Sequence, residues 1–216
     1  MPDEQELPSK SDRTRQRILD AAAKVFREHG YAASRLSDIA ELAEMKTGSL
    51  YYHFASREEL VAEIMHLGIA TASEHVRRAV DALPATATAM DRLATAIRTH
   101  TMAVLEISDY TSAEARIVGQ VPAGIAKAHR TEMRKYGEYW HELFLAAQRS
   151  GDIGVDVDLF AARMLAFGAM NWTADWFNPK RGPSAETIAD HAVRLILDGI
   201  RTTPTKVRRG ATVLGV

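Results

Sequence analysis

The sequence predicts an all-α fold, with a small N-terminal helical unit followed by a larger helical body. Three observations support this prediction. Apolar residues recur at helical spacing along most of the 216 residues. Proline and glycine fall mainly between these periodic segments, as at Pro84, Pro122 and Asn178-Pro179. The strict alternation of apolar and polar residues that is typical of strands is absent.

The first predicted helix has an apolar stripe that includes Ile18, Leu19 and Phe26, and it ends at His29-Gly30. Residues 9–57 contain nine Lys/Arg and six Asp/Glu, a net charge of +3, whereas the whole chain carries −1. The excess of positive charge therefore lies in the N-terminal unit. A solvated helix face would also explain it, but phosphate neutralisation requires the same distribution.

The segment from Ser34 to Phe54 has the pattern of a helix-turn-helix. Leu36 and Ile39 give its first helix an inward stripe, and Leu50 and Phe54 give the second helix a buried face. The second helix of such a motif lies in the DNA major groove. The alternative is a small three-helix core that its tyrosines shield. The DNA-binding reading assigns the contacts to Arg35, Lys46, Thr47, Gly48, Ser49, Tyr51, Tyr52 and His53.

Residues 13–60 resemble the N-terminal domain of the TetR family of bacterial transcriptional regulators. Two positions depart from the family pattern: Glu44 replaces the usual turn glycine, and Lys46 replaces the usual hydroxyl cap of the recognition helix. A positive φ at Glu44 would be uncommon for a residue other than glycine. The matching residues are Ile18-Leu19-Asp20-Ala21-Ala22, Phe26, Gly30-Tyr31, Asp38-Ile39-Ala40, Gly48 to Phe54, Ser56 and Glu58-Glu59-Leu60.

The composition agrees with a cytoplasmic regulator. The chain is 46% hydrophobic and has no cysteine, which excludes disulfides, thiolate metal sites and cysteine catalysis. No apolar run approaches the ~20 residues that span a bilayer. The N-terminus is acidic and polar, unlike a signal peptide. Combined with the resemblance, these features predict a helix-turn-helix DNA-binding domain and a larger helical ligand-binding and dimerisation domain.

The predicted division of the chain follows from its helix signals. A capping box at Ser56 and Glu59 begins the first helix of the second domain. Further helices are predicted at about 86–107, 112–119, 123–150, 156–177 and 184–202. The predicted domains are a flexible arm at 1–10, the DNA-binding domain at 11–57, the ligand-binding and dimerisation domain at 58–202, and a flexible tail at 203–216.

The last two predicted helices are apolar over much of their surface, which indicates burial on more than one side. They are either core helices of the monomer or an interface. In TetR-like regulators the two final helices of each subunit form a four-helix dimer interface, so the resemblance favours a homodimer. The residues assigned to this interface are Leu165, Ala169, Trp176, Ile188, Ala192, Leu195 and Gly199.

The stretch from Asn171 to Pro179, with Gly182-Pro183, resembles the TetR subgroup that senses acyl-CoA thioesters and represses lipid degradation genes. The resemblance extends loosely over residues 110–200. An acyl-CoA needs an apolar tunnel for its chain and cationic groups for its phosphates. The residues assigned to this ligand are Met102, Leu105, Arg116, Arg130, Arg134, Trp140, Phe144, Phe167, Trp172 and Arg181.

Two other functions compete with this reading. The first is a TetR-like sensor of a different hydrophobic or drug-like ligand that controls efflux; acidic and aromatic pocket walls would favour it. The second is an enzyme, which would need a nucleophile–base pair or a metal constellation. The eight histidines are scattered and none forms an HExxH pair. The sequence therefore predicts no catalytic residue, no metal site and no cofactor.

Overall fold

A computed structural model describes residues 9–202, which contain nine α-helices and one π-helical turn. The all-α prediction is confirmed. Residues 1–8 of the predicted arm and all of the predicted tail lie outside the described residues. No described helix is long and apolar enough to cross a membrane. The helices are α1 (Lys10–Ala33), α2 (Leu36–Leu42), α3 (Thr47–His53), α4 (Arg57–Asp81), α5 (Ala89–Met102), α6 (Asp109–Ile117), α7 (Ala123–Arg149), α8 (Leu159–Trp176) and α9 (Ala185–Ile200), and the π turn is Ala103–Ile107.

Helix α1 is broken at Gly30, where φ is 72° and ψ is −178°. The predicted end at His29-Gly30 therefore marks a real break, but one more helical turn follows it. The hydroxyl of Ser34 donates to the Gly30 carbonyl at 2.5 Å. Only glycine adopts this backbone conformation readily, so the break is specified by the residue at position 30.

The turn between α2 and α3 contains Glu44, whose φ is 54°. The residue that replaces the family's turn glycine therefore adopts the left-handed conformation all the same. Lys46 precedes α3 without a side-chain cap to the helix. The Glu44 N–H donates to Glu41 O at 3.0 Å and the Met45 N–H to Ala40 O at 2.9 Å, which closes the turn.

The predicted capping box at the start of α4 forms with a shift of one residue. The Ser56 hydroxyl accepts from the Glu59 N–H at 3.1 Å, as predicted. The Glu59 carboxylate accepts from the Ala55 N–H at 2.6 Å instead of from Ser56. Both bonds fix the direction in which α4 leaves α3.

Two large hydrophobic clusters, and a small one of Leu105, Ala185 and Ile188, form the core of the described residues. The first joins α1, α2 and α3 to the first half of α4 and to Ala113 and Ile117 of α6. The second joins the rest of α4 to α5, α7, α8 and α9. The core around the helix-turn-helix therefore extends across the predicted boundary at residue 57 and includes part of the second domain.

The connection from α5 to α6 differs from the sequence prediction. Helix α5 widens into the π turn Ala103–Ile107, and α6 begins at Asp109 instead of about residue 112. The hydroxyl of Ser112 donates to the carbonyls of Val104 and Ser108. Single π turns are frequent at functional sites, and this one lines the cavity described below.

Candidate nucleic-acid interface and effector cavity

Helix α3 buries one side and presents the other to solvent. Leu50 is buried, whereas Tyr51 and Tyr52 are 57% and 86% exposed. The ring of half-buried His53 packs edge-on against Tyr52, with centroids 5.2 Å apart. The exposed members of the predicted DNA-binding set are Arg35, Lys46, Thr47, Gly48, Ser49, Tyr51 and Tyr52. Large aromatic side chains this exposed on a short helix favour a partner surface over a tyrosine-shielded core.

Gly48 lies at the most open part of this face. A Cβ built at this position would meet no heavy atom within 4 Å. The backbone of α3 is therefore accessible beside Thr47 and Ser49, both of which are exposed. A phosphate or a base edge can approach closely here.

The position of α3 is fixed from behind by Arg15 of α1. Its guanidinium makes two 2.5 Å hydrogen bonds to the Glu63 carboxylate on α4. The same guanidinium lies 4.7 Å from the centre of the Phe54 ring. The hydrogen bonds from Arg15 lower the pKa of Glu63. Arg15 thus joins α1, the end of α3 and the start of α4.

A cavity of about 510 Å³ lies where α1 meets the π turn, α6 and the end of α8. Its charged side chains are Arg27, Arg116, Lys180 and one carboxylate, Glu28. The Arg27 guanidinium is 2.5 Å from the Asp109 carboxylate, and the Arg116 guanidinium donates to the Ala174 carbonyl at 3.2 Å. The remaining lining residues are Val104, Leu105, Ser112, Ala174, Phe177, Asn178 and Pro179.

The structure divides the predicted ligand residues into three groups. Leu105 and Arg116 line the cavity, and Met102 packs beside Leu105. Buried rings of the core form the second group, Trp140, Phe144 and Phe167. The exposed residues that do not line the cavity form the third, Arg130, Arg134, Trp172 and Arg181.

Arg27 and Glu28 of the cavity wall are not among the ligand residues predicted from the sequence. Both belong to α1, whose pattern indicates only a helix of the DNA-binding unit. The contact between α1 and α6 joins residues about eighty positions apart, as the Arg27–Asp109 ion pair shows. Periodicity along the chain carries no signal for such a contact.

A chain of hydrogen bonds lies about one helical turn from the cavity residues Leu105 and Ala174, along α5 and α8. The hydroxyl of Tyr136 lies 3.1 Å from His100 Nδ1, and His100 Nε2 lies 2.9 Å from Asn171 Oδ1. Burial lowers the pKa of His100 and raises that of Tyr136. We assign the neutral ring, with Tyr136 donating to Nδ1 and Nε2–H donating to Asn171.

Helices α8 and α9 share an exposed apolar face. Leu165 and Leu195 are each 75% exposed and Trp176 is 47% exposed. Trp172, predicted to contact the ligand, is 66% exposed on α8, with its ring 6.3 Å from that of Trp176. Among the predicted interface residues, Ala169 and Gly199 are exposed and Ala192 is half-buried. Ile188 is 8% exposed and packs with Leu105 in the core of the subunit.

Titratable residues of the described range do not form a metal centre, since no group of three or more His, Asp or Glu could hold an ion there.

A buried pair, Glu114 on α6 and His129 on α7, places Oε1 and Nε2 2.8 Å apart. Gly68 of α4 packs against this pair so closely that an added Cβ would lie 2.5 Å from the Glu114 Cβ. The pair thus joins three helices.

Comparison with known proteins identifies relatives over nearly the whole chain. Two family models match: "Bacterial regulatory proteins, tetR family" over residues 18–64 and "Tetracyclin repressor-like, C-terminal domain" over residues 86–200. The HTH-type transcriptional repressor KstR2 of Rhodococcus jostii is 30% identical over 192 residues, which cover 86% of this chain and 90% of that protein.

Solved structures share the fold. AibR in complex with isovaleryl coenzyme A and operator DNA superposes with a TM-score of 0.73 at 24% identity, covering 84% of this chain and 97% of AibR. The ketosteroid transcriptional regulator KstR2 of Mycobacterium tuberculosis superposes with a TM-score of 0.67 at 24% identity, covering 92% and 98% of the two chains.

Proposed function

Because this chain belongs to the TetR family of transcriptional regulators, we propose that it binds a palindromic operator as a homodimer and is released by an acyl-CoA thioester. Its relatives are regulators and not enzymes. The chain is accordingly a ligand-responsive repressor of this family, and the effector, the dimer and the operator symmetry are the proposed part. Control of lipid or related catabolism would follow from such an effector.

The cavity between α1, α6 and α8 carries the effector proposal. Arg116 and Lys180 face it, the third basic side chain, Arg27, is paired with the Asp109 carboxylate, and Glu28 is the carboxylate of the lining. Arginine binds phosphate through two parallel N–H donors. Val104, Leu105 and Phe177 supply apolar surface in the same lining. A thioester of coenzyme A needs both surfaces, cationic for its phosphates and apolar for its acyl chain.

Two relatives support this choice of ligand class. AibR was crystallised with isovaleryl coenzyme A and operator DNA, and KstR2 of Mycobacterium tuberculosis is described as a ketosteroid regulator. Both share the fold of this chain.

The position of the cavity supplies a route from ligand to DNA. Arg27 belongs to α1, whose other side packs against the helix-turn-helix, and Arg116 belongs to α6. A ligand that draws these two side chains together changes the angle between α1 and α6. The ligand releases DNA only if it binds the arrangement that cannot bind DNA more tightly than the arrangement that can. In a dimer such a change alters the distance between the two recognition helices, which must match successive major grooves.

Measurements of melting temperature and of operator release test the proposal together. CoA, isovaleryl-CoA, longer acyl-CoAs and the free fatty acids are each added to the protein alone and to the protein–operator complex. Acyl-CoA is expected to raise the melting temperature and release the operator, whereas the free acids do neither, because they lack the phosphates.

Two charge-removing variants locate the phosphates. Arg116→Gln removes a cation of the cavity. It is expected to raise the acyl-CoA concentration for half-release about tenfold or more, because a charge-assisted hydrogen bond to the ligand is lost. Arg130→Gln removes an exposed arginine of α7 that does not line the cavity, and is expected to change little. A larger effect at Arg130 would place the phosphates at α7, whose Arg130 and Arg134 are also among the cationic residues predicted from the sequence.

A sensor of cationic drugs is the second candidate, because Glu28 lines the cavity. A carboxylate and an aromatic ring, here Phe177, in the lining of one cavity suit a cation. The positive side chains Arg116 and Lys180 in the same lining oppose it. If a cationic hydrophobic compound shifts melting and releases DNA while no CoA derivative does so, the efflux-type sensor replaces the acyl-CoA sensor.

A further inference from the structure

The effector cavity has an exposed mouth and a buried inner end. The lining residues that are exposed, and so mark the mouth, are Glu28, Asn178, Pro179 and Lys180. The lining residues that are 2% exposed or less, and so mark the inner end, are Val104, Leu105 and Ser112. Arg116 is half-buried. A ligand that enters this cavity therefore passes from a charged mouth to a buried end.

The inner end suits a hydrocarbon group. Val104 and Leu105 present only carbon atoms from their side chains. The third residue, Ser112, is already engaged, because its hydroxyl donates to the carbonyls of Val104 and Ser108. A ligand oxygen placed there would lose its water without gaining a side-chain donor, which is unfavourable. The part of the ligand that reaches the inner end is therefore an unsubstituted hydrocarbon.

Leu105 closes the inner end. This side chain packs with Ala185 and Ile188 of α9, which are 0% and 8% exposed, and Met102 and Phe177 pack on the same cluster. Packed interiors yield little space, and an added methylene displaces side chains at a cost in free energy. A hydrocarbon chain that continued past Leu105 would have to displace this cluster.

The size of the cavity limits what can share it. Its volume of about 510 Å³ lies in the range that encloses a drug-sized ligand, and a CoA thioester with a long acyl chain is much larger. In an acyl-CoA complex the nucleotide therefore lies outside the mouth, and the acyl group shares the cavity with the pantetheine arm. Only a short acyl group fits in the space that remains.

We propose that the effector is the CoA thioester of a short, unsubstituted acyl group, from butyryl to hexanoyl or a branched form of these, and that Leu105 sets the upper limit of its length. This inference rests on the proposed acyl-CoA effector and narrows its class to short acyl groups. A longer chain must displace Leu105 or leave methylenes in water. One methylene that a hydrophobic pocket does not accommodate changes binding about tenfold or more.

The test is a series of thioesters that differ only in the acyl group. Butyryl-, isovaleryl-, hexanoyl-, octanoyl- and dodecanoyl-CoA are each added to the protein–operator complex, and the concentration for half-release is measured. The lowest value is expected among the first three. The values for octanoyl- and dodecanoyl-CoA are expected to be at least about tenfold higher. Melting temperatures of the protein alone report the same order without DNA.

Matched leucine variants assign the limit to one side chain. Leu105→Ala opens the inner end by the volume of an isopropyl group. It is expected to lower the octanoyl-CoA concentration for half-release about tenfold, and to raise the butyryl-CoA concentration because a contact is lost. Leu93→Ala makes the same truncation in α5 at a side chain that is 0% exposed and does not line the cavity. It controls for lost stability and is expected to keep the native order of ligands.

The outcomes separate this inference from the proposed function. If octanoyl- or dodecanoyl-CoA releases the operator from the native protein as well as the short thioesters do, the short acyl class is wrong and the acyl-CoA sensor stands. If no thioester of any length shifts melting or releases the operator, both proposals fall. A native order of ligands in Leu105→Ala overturns the assignment to Leu105. If that variant does not fold, Leu105→Val removes less of the same side chain and is expected to change the order in the same direction.

Discussion

Gln120 holds the broken end of α1, because its side-chain Oε1 accepts a hydrogen bond from the backbone N–H of Tyr31 at 2.9 Å. The other end of the same amide donates to the Arg116 carbonyl at 2.9 Å. Arg116 lines the cavity, and Tyr31 follows the break at Gly30. Arg57 of α4 also contacts the end of α1, with its guanidinium 4.3 Å from the centre of the Tyr31 ring. One amide therefore connects the end of α6 to the end of α1.

Removal of this connection is expected to weaken coupling more than binding. In Gln120→Ala, acyl-CoA still raises the melting temperature, but the concentration for half-release of the operator rises about three- to tenfold, as the loss of ordinary hydrogen bonds implies. Gln148→Ala is the matched control, because Gln148 also makes two side-chain hydrogen bonds to the backbone, in this case to the carbonyls of Gly154 and Val157 in the loop before α8. Equal effects of the two variants on release would contradict a transmitting role for Gln120.

Lys46 is expected to contact a phosphate of the operator. It is exposed just before α3 and makes no cap to that helix. Lys46→Ala should weaken binding about three- to tenfold on every operator sequence and reduce the slope of log affinity against log salt by about one. Anisotropy titrations at several salt concentrations measure both quantities. The control is Lys127→Ala, at an exposed position of α7, which should change neither quantity. A slope that Lys46→Ala leaves unaltered would contradict the proposed phosphate contact.

The exposed face of α8 and α9 is expected to pair two subunits. Leu195→Arg places a charge at a side chain that is 75% exposed in the subunit, so it should yield folded monomers that bind the operator weakly, because a two-fold site needs two recognition helices. Sedimentation equilibrium distinguishes the 23.8 kDa monomer from a species of twice that mass. Val155→Arg makes the same chemical change at a side chain that is 91% exposed in a loop and should stay dimeric. A native protein that is monomeric at micromolar concentration would contradict the proposed homodimer.

The buried and exposed faces of α3 could be predicted from local sequence pattern, whereas the lining of the cavity could not. Leu50 and Phe54 lie four residues apart, so helical geometry alone places both inward and turns Tyr51 and Tyr52 outward. The cavity depends on α1 meeting α6, and no spacing along the chain encodes that contact. The burial of Ile188 and the exposure of Trp172 could not be predicted from spacing either, because each residue belongs to a helix that is apolar on both faces. Packing decided that Ile188 is buried and Trp172 is exposed.

Glu44 adopts the backbone conformation of the glycine that it replaces. The replacement predicts a slightly different turn, yet the backbone keeps φ at 54°. The flanking helices pack on the same core, and their contacts outweigh the roughly 1–2 kcal/mol that the left-handed region costs a residue with a Cβ. The turn geometry is therefore set by packing and not by the residue in it.

His100 is expected to make stability depend on pH. Burial lowers its pKa in the folded state below the ordinary value of 6.5, against smaller opposing effects from the Asn171 hydrogen bond and the Glu114 charge. The unfolded chain therefore binds the proton more readily, so the free energy of unfolding falls as pH drops below about 6.5 and levels off below the folded pKa. Denaturant titrations from neutral pH downward are expected to show this loss, and His100→Asn should flatten it because an amide does not titrate. His141→Asn, at an exposed position of α7, should leave the loss in place. A native protein whose stability is constant across that range would mean that the folded state accepts the proton at His100, contrary to the neutral ring assigned between Tyr136 and Asn171.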